Sequence, residues 1–319
     1  MNLKVPGYLR TRIGRRFLIV FLIVSLVPLS VMRWLAIRKS QRAIQEQTRA
    51  VLRAASDGAE AELREFLQNL RDDLIQISED GAIQEAIRNI ATNKDSDSLP
   101  SLRKNLNWRI PRDAHELFIL DDAGHVLAST SPSNQGRNYS TNRFFLQGSK
   151  AFDAGDVHVD TDGKFTWIMA APIASLPERH VVGVAAFRIE PAVLNALTSG
   201  RRVLSNGADT QSFRIGDTGE TYIVNQEGYM ITESRFQSNA VLRLKVDTLP
   251  VRVGLERGQE ITEEYLDYRG TQVSGGSVVF RNPHWILITE IDFRQAFAPI
   301  IKMQNQLIFA AIALILLAA

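Results

Sequence analysis

One hairpin is written twice in this chain, 104 residues apart. The first copy is Glu116-Leu-Phe-Ile-Leu-Asp-Asp-Ala-Gly-His-Val-Leu-Ala-Ser129. The second is Glu220-Thr-Tyr-Ile-Val-Asn-Gln-Glu-Gly-Tyr-Met-Ile-Thr-Glu233. The offset aligns Glu116 with Glu220, Ile119 with Ile223 and Gly124 with Gly228. It also carries the strand His180-Val-Val-Gly-Val-Ala onto His284-Trp-Ile-Leu-Ile-Thr. Two separated strands obeying one offset constrain the fold more than scattered identities do. They predict two similar α+β modules in tandem.

The chain has 319 residues, enough for two domains at roughly 100–150 residues each. Its net charge of +2 is unevenly spread: Lys4, Arg10, Arg12, Arg15 and Arg16 face no acid in residues 1–16, which leaves −3 for the rest. This basic tail directly precedes the apolar run Phe17–Met32, so it reads as a cytoplasmic flank and not as a nucleic-acid arm. Extended by Arg33 to Ile37, the run predicts a transmembrane helix over 17–37. Arg33 can snorkel to the far interface, and Trp34 suits a headgroup belt. A signal peptide is the rival reading, but the run exceeds a usual apolar core and no small-x-small site follows it. A second apolar segment, Leu307–Ala319, is shorter than the ~20 residues a span needs. The expectation is a fragment whose natural chain continues through the membrane into a cytoplasmic part. A C-terminal tail anchor is the alternative. The chain has no cysteine, so an exported part needs no disulfides and holds no thiolate metal site.

Between the apolar ends, residues 38–93 predict one long stalk helix. Ile44, Val51, Ala55, Ala59, Leu63, Phe66, Leu70, Leu74 and Ile77 recur at spacings of mostly three and four. Such a stripe packs on its own modules, forms a homodimer seam, or does both. Thr92–Pro100 breaks the helix. A first module follows over 94–200, with strands around Asp121-Asp-Ala-Gly124 and Thr161-Asp-Gly163 and a short helix from Arg143. A second module covers 201–298, with strands near 221–224, 230–234, 260–267, 271–280 and 285–291. Residues 299–319 continue a helix from Phe293 into the second span.

A long helix and two PAS-like antiparallel-sheet modules resemble the double Cache sensor domain of bacterial transmembrane receptors. Tyr139-Ser-Thr-Asn-Arg143-Phe-Phe145 resembles the stretch that opens that family's pocket helix, and Ala170-Ala-Pro-Ile173 resembles a strand end. Asp217-Thr-Gly-Glu-Thr-Tyr222, Thr232-Glu-Ser-Arg-Phe236 and His284-Trp285 resemble parts of the membrane-proximal module. The likeness covers roughly residues 38–306. It implies an α+β fold flanked by two transmembrane helices in the bacterial inner membrane, with residues about 38–303 extracytoplasmic. It further implies a small-molecule ligand in the first, membrane-distal module.

In the family's amino-acid binders an arginine holds the carboxylate, and a strand aspartate holds the ammonium. Arg143 matches the arginine, a fork donor suited to carboxylates. Phe145 takes the family's tryptophan position, and Tyr139 and Trp167 are candidate pocket walls. The strand aspartate aligns with Arg188. Two arginines converging on one pocket suit an anion, a carboxylate or dicarboxylate. Asp153, Asp156, His158, Asp160 and Asp162 have an oxygen-rich spacing suited to calcium, but Asp160-Thr-Asp-Gly163 also suits a plain hairpin turn, and no metal or cofactor is assigned. No catalytic constellation stands at a persuasive spacing, so the expectation is a sensor and not an enzyme. The competing expectation is a ligand-free module that dimerises or meets a periplasmic protein.

Overall fold

The protein is described by a computed structural model covering residues 12–91, 98–175, 180–199, 201–203, 209–211 and 215–298, with 302, 305–306 and 308–309 beyond them. The chain divides into two compact units. One is Val51–Phe293; the other comprises Met1–Ala50 and Arg294–Ala319.

In the terminal unit, helix α1 (Arg12–Ser78) begins. Val24, Val31, Met32 and Trp34 of this part are exposed, and the Arg38 guanidinium lies 4.0 Å from the Trp34 ring centroid. Among the described residues no helix is long and apolar enough to cross a membrane. Residues 1–11, and the segment 307–319 apart from Ile308 and Phe309, lie outside the described residues.

In the unit Val51–Phe293, α1 buries Leu52, Ala55, Ala59, Leu63, Leu67, Leu70, Leu74 and Ile77, a stripe at helical spacing. From Ala59 onward these side chains enter one core with both sheets. The stripe expected as a possible dimer seam is thus consumed within the chain from Ala59 to Ile77. The helix does not reach residue 93. Asp80 Oδ1 accepts from the N–H groups of Ala82 (2.9 Å) and Ile83 (3.1 Å), which caps a new helix, α2 (Gly81–Ala91). A third helix, α3 (Ser98–Arg109), follows where the sequence reads as a break.

The first module is built on a five-stranded antiparallel sheet of order β2-β1-β5-β4-β3. Its strands are β1 (Glu116–Asp121), β2 (Val126–Ser129), β3 (Val157–Val159), β4 (Phe165–Ser175) and β5 (His180–Ile189), with α4 (Arg143–Gly148) and α5 (Ala192–Thr198) beside it. A small hairpin, β6 (Arg201–Val203) and β7 (Asp209–Gln211), precedes the second module. That module's sheet has order β8-β11-β10-β9, from β8 (Glu220–Val224), β9 (Thr262–Leu266), β10 (Gln272–Arg281) and β11 (His284–Asp292). Helix α6 (Leu249–Arg257) lies between β8 and β9 and was not legible as a helix. Helix α7 (Phe293–Ala296) starts with no residue between it and β11.

The repeat holds at the level of single hydrogen bonds. Asp121 Oδ1 accepts from the N–H groups of Ala123 (3.0 Å) and His125 (2.8 Å). Asn225 Oδ1 accepts from those of Glu227 (3.1 Å) and Tyr229 (2.9 Å). Gly124 and Gly228 close the two turns with φ of 86° and 84°, a region that only glycine enters freely. The hairpins then diverge. Residues 230–234 form an isolated bridge to Val224 and no strand, because Met230 exchanges backbone bonds with Leu242 and Leu244 of the following loop. The closing strands obey a different offset. Glu116 pairs with Arg188 across β1–β5, and Glu220 pairs with Glu290 across β8–β11. Arg188 and Glu290 are 102 residues apart, so the 104-residue alignment slips by two there. A slip of two preserves the inward–outward alternation of a strand, which is why the sequence alone accepts it.

Candidate ligand-binding site

The face of the first sheet turned away from α1 carries Phe118, Leu120, Ile168, Ala170, Val184 and Ala186. Tyr139, Phe144 and Phe145 cover it. Phe118, Tyr139 and Phe144 meet ring to ring, with centroids 5.2–6.0 Å apart, a separation and tilt that favour aromatic pairs. This is where Tyr139 and Phe145 were expected to line a pocket; both are buried in packing.

Arg188 stands at the end of that face. Its Nε donates to Glu116 Oε2 (2.8 Å), its Nη1 to Asp160 Oδ2 (2.5 Å) and its Nη2 to the Tyr139 hydroxyl (3.1 Å). Glu116 Oε1 also accepts from Ser129 Oγ and from Asn134 Nδ2 at 2.7 Å, and Tyr139 donates to Asn134 Oδ1 at 2.7 Å. Burial raises the Asp160 carboxyl, but the Thr161 N–H and the Arg188 guanidinium outweigh it and hold the carboxyl below its ordinary value. Two carboxylates around one guanidinium leave no surplus positive charge. The converging arginine pair therefore does not form on Arg188. Trp167 lies on the opposite face: its ring centroid is 5.0 Å from that of Trp285 and its indole N–H donates to the Ala154 carbonyl at 2.6 Å. The structure thus brings Tyr139, Phe145 and Arg188 onto one face and sets Trp167 apart from them.

Arg143 opens α4, is exposed, and forms no ion pair among the described residues. It lines a cavity of about 400 Å³ together with Asp156, His158, Asn225, Glu227 and Tyr229. It also lines a second cavity of about 280 Å³ with Asp153, Gln226, Arg281 and His284. Both lie where the β3 side of the first module faces two turns of the second. One is the repeated turn after β8; the other joins β10 to β11.

The segment 153–156 that floors both cavities is held at three points. Asp153 N–H donates to the Ala170 carbonyl at 2.8 Å, and Ala170 N–H returns the bond at 2.9 Å. Trp167 holds Ala154 from below. Gly155, at φ 65°, sits where any Cβ would collide with the Ile168 carbonyl. Asp156 Oδ1 accepts from Val157 N–H (2.8 Å) and from the Trp285 indole (2.9 Å). Burial raises its carboxyl, against the lowering pull of Trp285, Val157 and the Arg143 charge. The acidic run from Asp153 to Asp162 does not act as one cluster. Asp160 belongs to Arg188, Asp156 to Trp285, and among the described residues no three acidic or imidazole groups converge as metal ligands.

The sequence reading missed Arg281, Glu227 and Tyr229 as cavity residues, since each comes from a turn of the other module. It also missed a buried carboxyl pair. Glu290 and Glu220 face each other in the second sheet. Glu290 Oε2 accepts from Tyr265 (2.7 Å) and Tyr222 (3.3 Å). Burial raises Glu290 to about 8. The Glu116/Glu220 repeat was the available signal for one of the two.

The Cache domain family model matches residues 36–300, and the chain belongs to that family. No curated protein matches the sequence. Among solved structures, the chain is similar to the sensor domain of the Vibrio cholerae histidine kinase DctB, with a TM-score of 0.52 and 13% identity over 80% of this chain and 98% of that one. It is similar to the ligand-binding domain of the Pseudomonas fluorescens chemoreceptor CtaA, solved with L-isoleucine, with a TM-score of 0.52 and 15% identity over 81% and 98%. It is similar to the ligand-binding domain of the Pseudomonas aeruginosa amino-acid chemoreceptor PctC, solved with GABA, with a TM-score of 0.52 and 14% identity over 76% and 100%.

Proposed function

We propose that this chain is the ligand-sensing, extracytoplasmic region of a bacterial transmembrane receptor. It binds a small carboxylate-type molecule and relays occupancy to a cytoplasmic output domain. Residues 17–37 and 307–319 are the flanking spans in this reading, and the first module is the one distal to the membrane. The observation that carries it is Arg143: an exposed guanidinium with no ion-pair partner among the described residues, at a cavity of about 400 Å³. Carboxylate ligands in the CtaA and PctC domains support the same class. The relay follows from connectivity. Asp156 at the cavity is bonded to Trp285 of β11, and β11 runs directly into α7. A ligand that binds two arrangements of this strand unequally shifts their balance.

The test is a thermal-shift screen of the full chain in detergent micelles against carboxylic acids. Ligands that bind only the folded state raise its melting temperature. The expected result is a rise that disappears in Arg143→Ala; a rise unchanged in that variant sinks the reading. A second reading has its own observation. Phe118, Tyr139 and Phe144 fill the sheet face expected to hold the ligand, which favours a module that dimerises or meets a periplasmic protein. Silence across the screen supports that second reading.

A further inference from the structure

We infer that the chain carries a second ligand site, on the α1 side of the β10–β11 turn, for a small organic anion with an apolar body. It is separate from the Arg143 cavity and does not rest on the carboxylate-sensor reading.

The site is a cavity of about 190 Å³ where α1, the first module and the β10–β11 turn adjoin. Its floor is apolar: Leu67, Ala154, Met169, Phe280 and Pro283 are all buried. Its rim is polar. Arg64, Gln68 and Arg71 are exposed and share one face of α1 at spacings of four and three, and Asn282 faces them from the turn. Among the described residues no carboxylate lines this cavity, whereas Asp153 and Asp156 line both cavities at Arg143.

The two guanidiniums are held in place and still available. Arg71 lies over the Phe152 ring, 5.6 Å from its centroid, and makes no hydrogen bond or ion pair among the described residues. Arg64 lies over the Phe280 ring at 5.3 Å and gives Nη2 to Glu60, an exposed pair of a kind worth little. A ring beneath a guanidinium orients its plane and leaves the N–H edge open to an acceptor. A cationic rim over an apolar floor rewards a molecule with both parts, a hydrocarbon body and a carboxylate. The cavity is smaller than the roughly 300–1,000 Å³ of drug-sized sites, so the body is a single ring or a short branched chain. Asn282 and Pro283 also line the second cavity at Arg143. The turn is a wall common to both sites, and any coupling between their ligands runs through it and is reciprocal.

The experiment measures binding by calorimetry to the full chain in micelles carrying Arg143→Ala, which removes the anchor of the other site. The probes are benzoate, benzyl alcohol and acetate: ring with charge, ring alone and charge alone. Benzoate is expected to bind, and the other two to bind about tenfold more weakly or worse. Adding Arg71→Ala is expected to weaken benzoate about tenfold or more. Arg71 is exposed, so its replacement leaves the fold intact. No benzoate binding, or full affinity after Arg71→Ala, overturns the site. Equal binding of benzyl alcohol overturns the anion, and equal binding of acetate overturns the apolar body. The two sites fail separately: a response lost in Arg143→Ala alone belongs to the sensor reading, and one lost only with Arg71→Ala belongs here.

Discussion

The indole N–H of Trp285 donates to Asp156 Oδ1 at 2.9 Å and ties the last strand of the second sheet to the floor of the first module's cavity. Trp285→Phe keeps most of the ring packing and removes this donor from a carboxylate. The expected cost is about 1.5–3 kcal/mol, the range for a hydrogen bond to a charged group. Urea unfolding measures it; a change within about 0.3 kcal/mol shows that the bond contributes nothing.

A different strand residue is expected to set a pH dependence of stability. Glu290 rises from an ordinary value of 4.5 to about 8, chiefly because it is buried. Tyr222 and Glu220 of β8, Tyr265 of β9, and Asp267, Tyr268 and Arg269 of the β9–β10 turn surround it. Between those two values the folded protein holds a proton that the unfolded chain has released. Stability therefore falls as pH rises through that window, by at most about 1.4 kcal/mol per pH unit for one proton. Glu290→Gln is expected to flatten the dependence and to be more stable than the parent above pH 8. A parallel fall in both proteins assigns the slope to other groups.

Arg188 and Arg143 are expected to fail in opposite ways. Arg188→Ala strands Glu116 in a buried site, a class of change that costs about 3–5 kcal/mol. Arg143 is exposed, and surface changes of its kind stay within about 0.5 kcal/mol. Paired measurements of unfolding and of carboxylate binding separate the two. A strongly destabilised Arg143→Ala contradicts its assignment as a free ligand anchor.

Gly124 and Gly136 make a controlled pair. Both have positive φ, at 86° and 72°. A Cβ on Gly124 would lie 2.7 Å from the Ser140 backbone, whereas one on Gly136 meets nothing within 4 Å. Gly136→Ala carries only the conformational cost of roughly 1 kcal/mol. Gly124→Ala adds a backbone clash and is expected to cost clearly more. Equal melting temperatures in the two variants refute this.

The absence of cysteine from the sequence makes topology directly testable. Ser133→Cys, at an exposed site, is expected to react with a membrane-impermeant maleimide added to cells with a permeabilised outer membrane. Labelling only after lysis overturns the extracytoplasmic assignment.

What was legible in the sequence tracks how local the cause is. The glycine turns at Gly124, Gly163 and Gly228 and the strands β1 to β4 and β8 beside them follow from alternation and φ preference. The length of α1 was overread because apolar spacing continues past Ser78, while the cap supplied by Asp80 interrupts it. Helix α6 was missed since Pro250 and Gly254 argue against a helix locally. Pro250 tolerates its place in the first turn, and a side chain at Gly254 would run into Ile286. Arg143 was found through a motif, but the fate of Arg188 depended on Glu116, 72 residues away, and on Asp160. Long-range partners of this kind leave no spacing to read.

The shared core has a practical consequence for engineering. Leu63 to Ile77 of α1 cover both sheets at once, and Trp167 and Trp285 meet where the sheets adjoin. A hybrid receptor spliced at the β6–β7 hairpin would give the second sheet a foreign helix surface and break the indole pair. Grafts that exchange Val51–Phe293 as a single block keep every one of these neighbours, so specificity is transplanted whole or not at all.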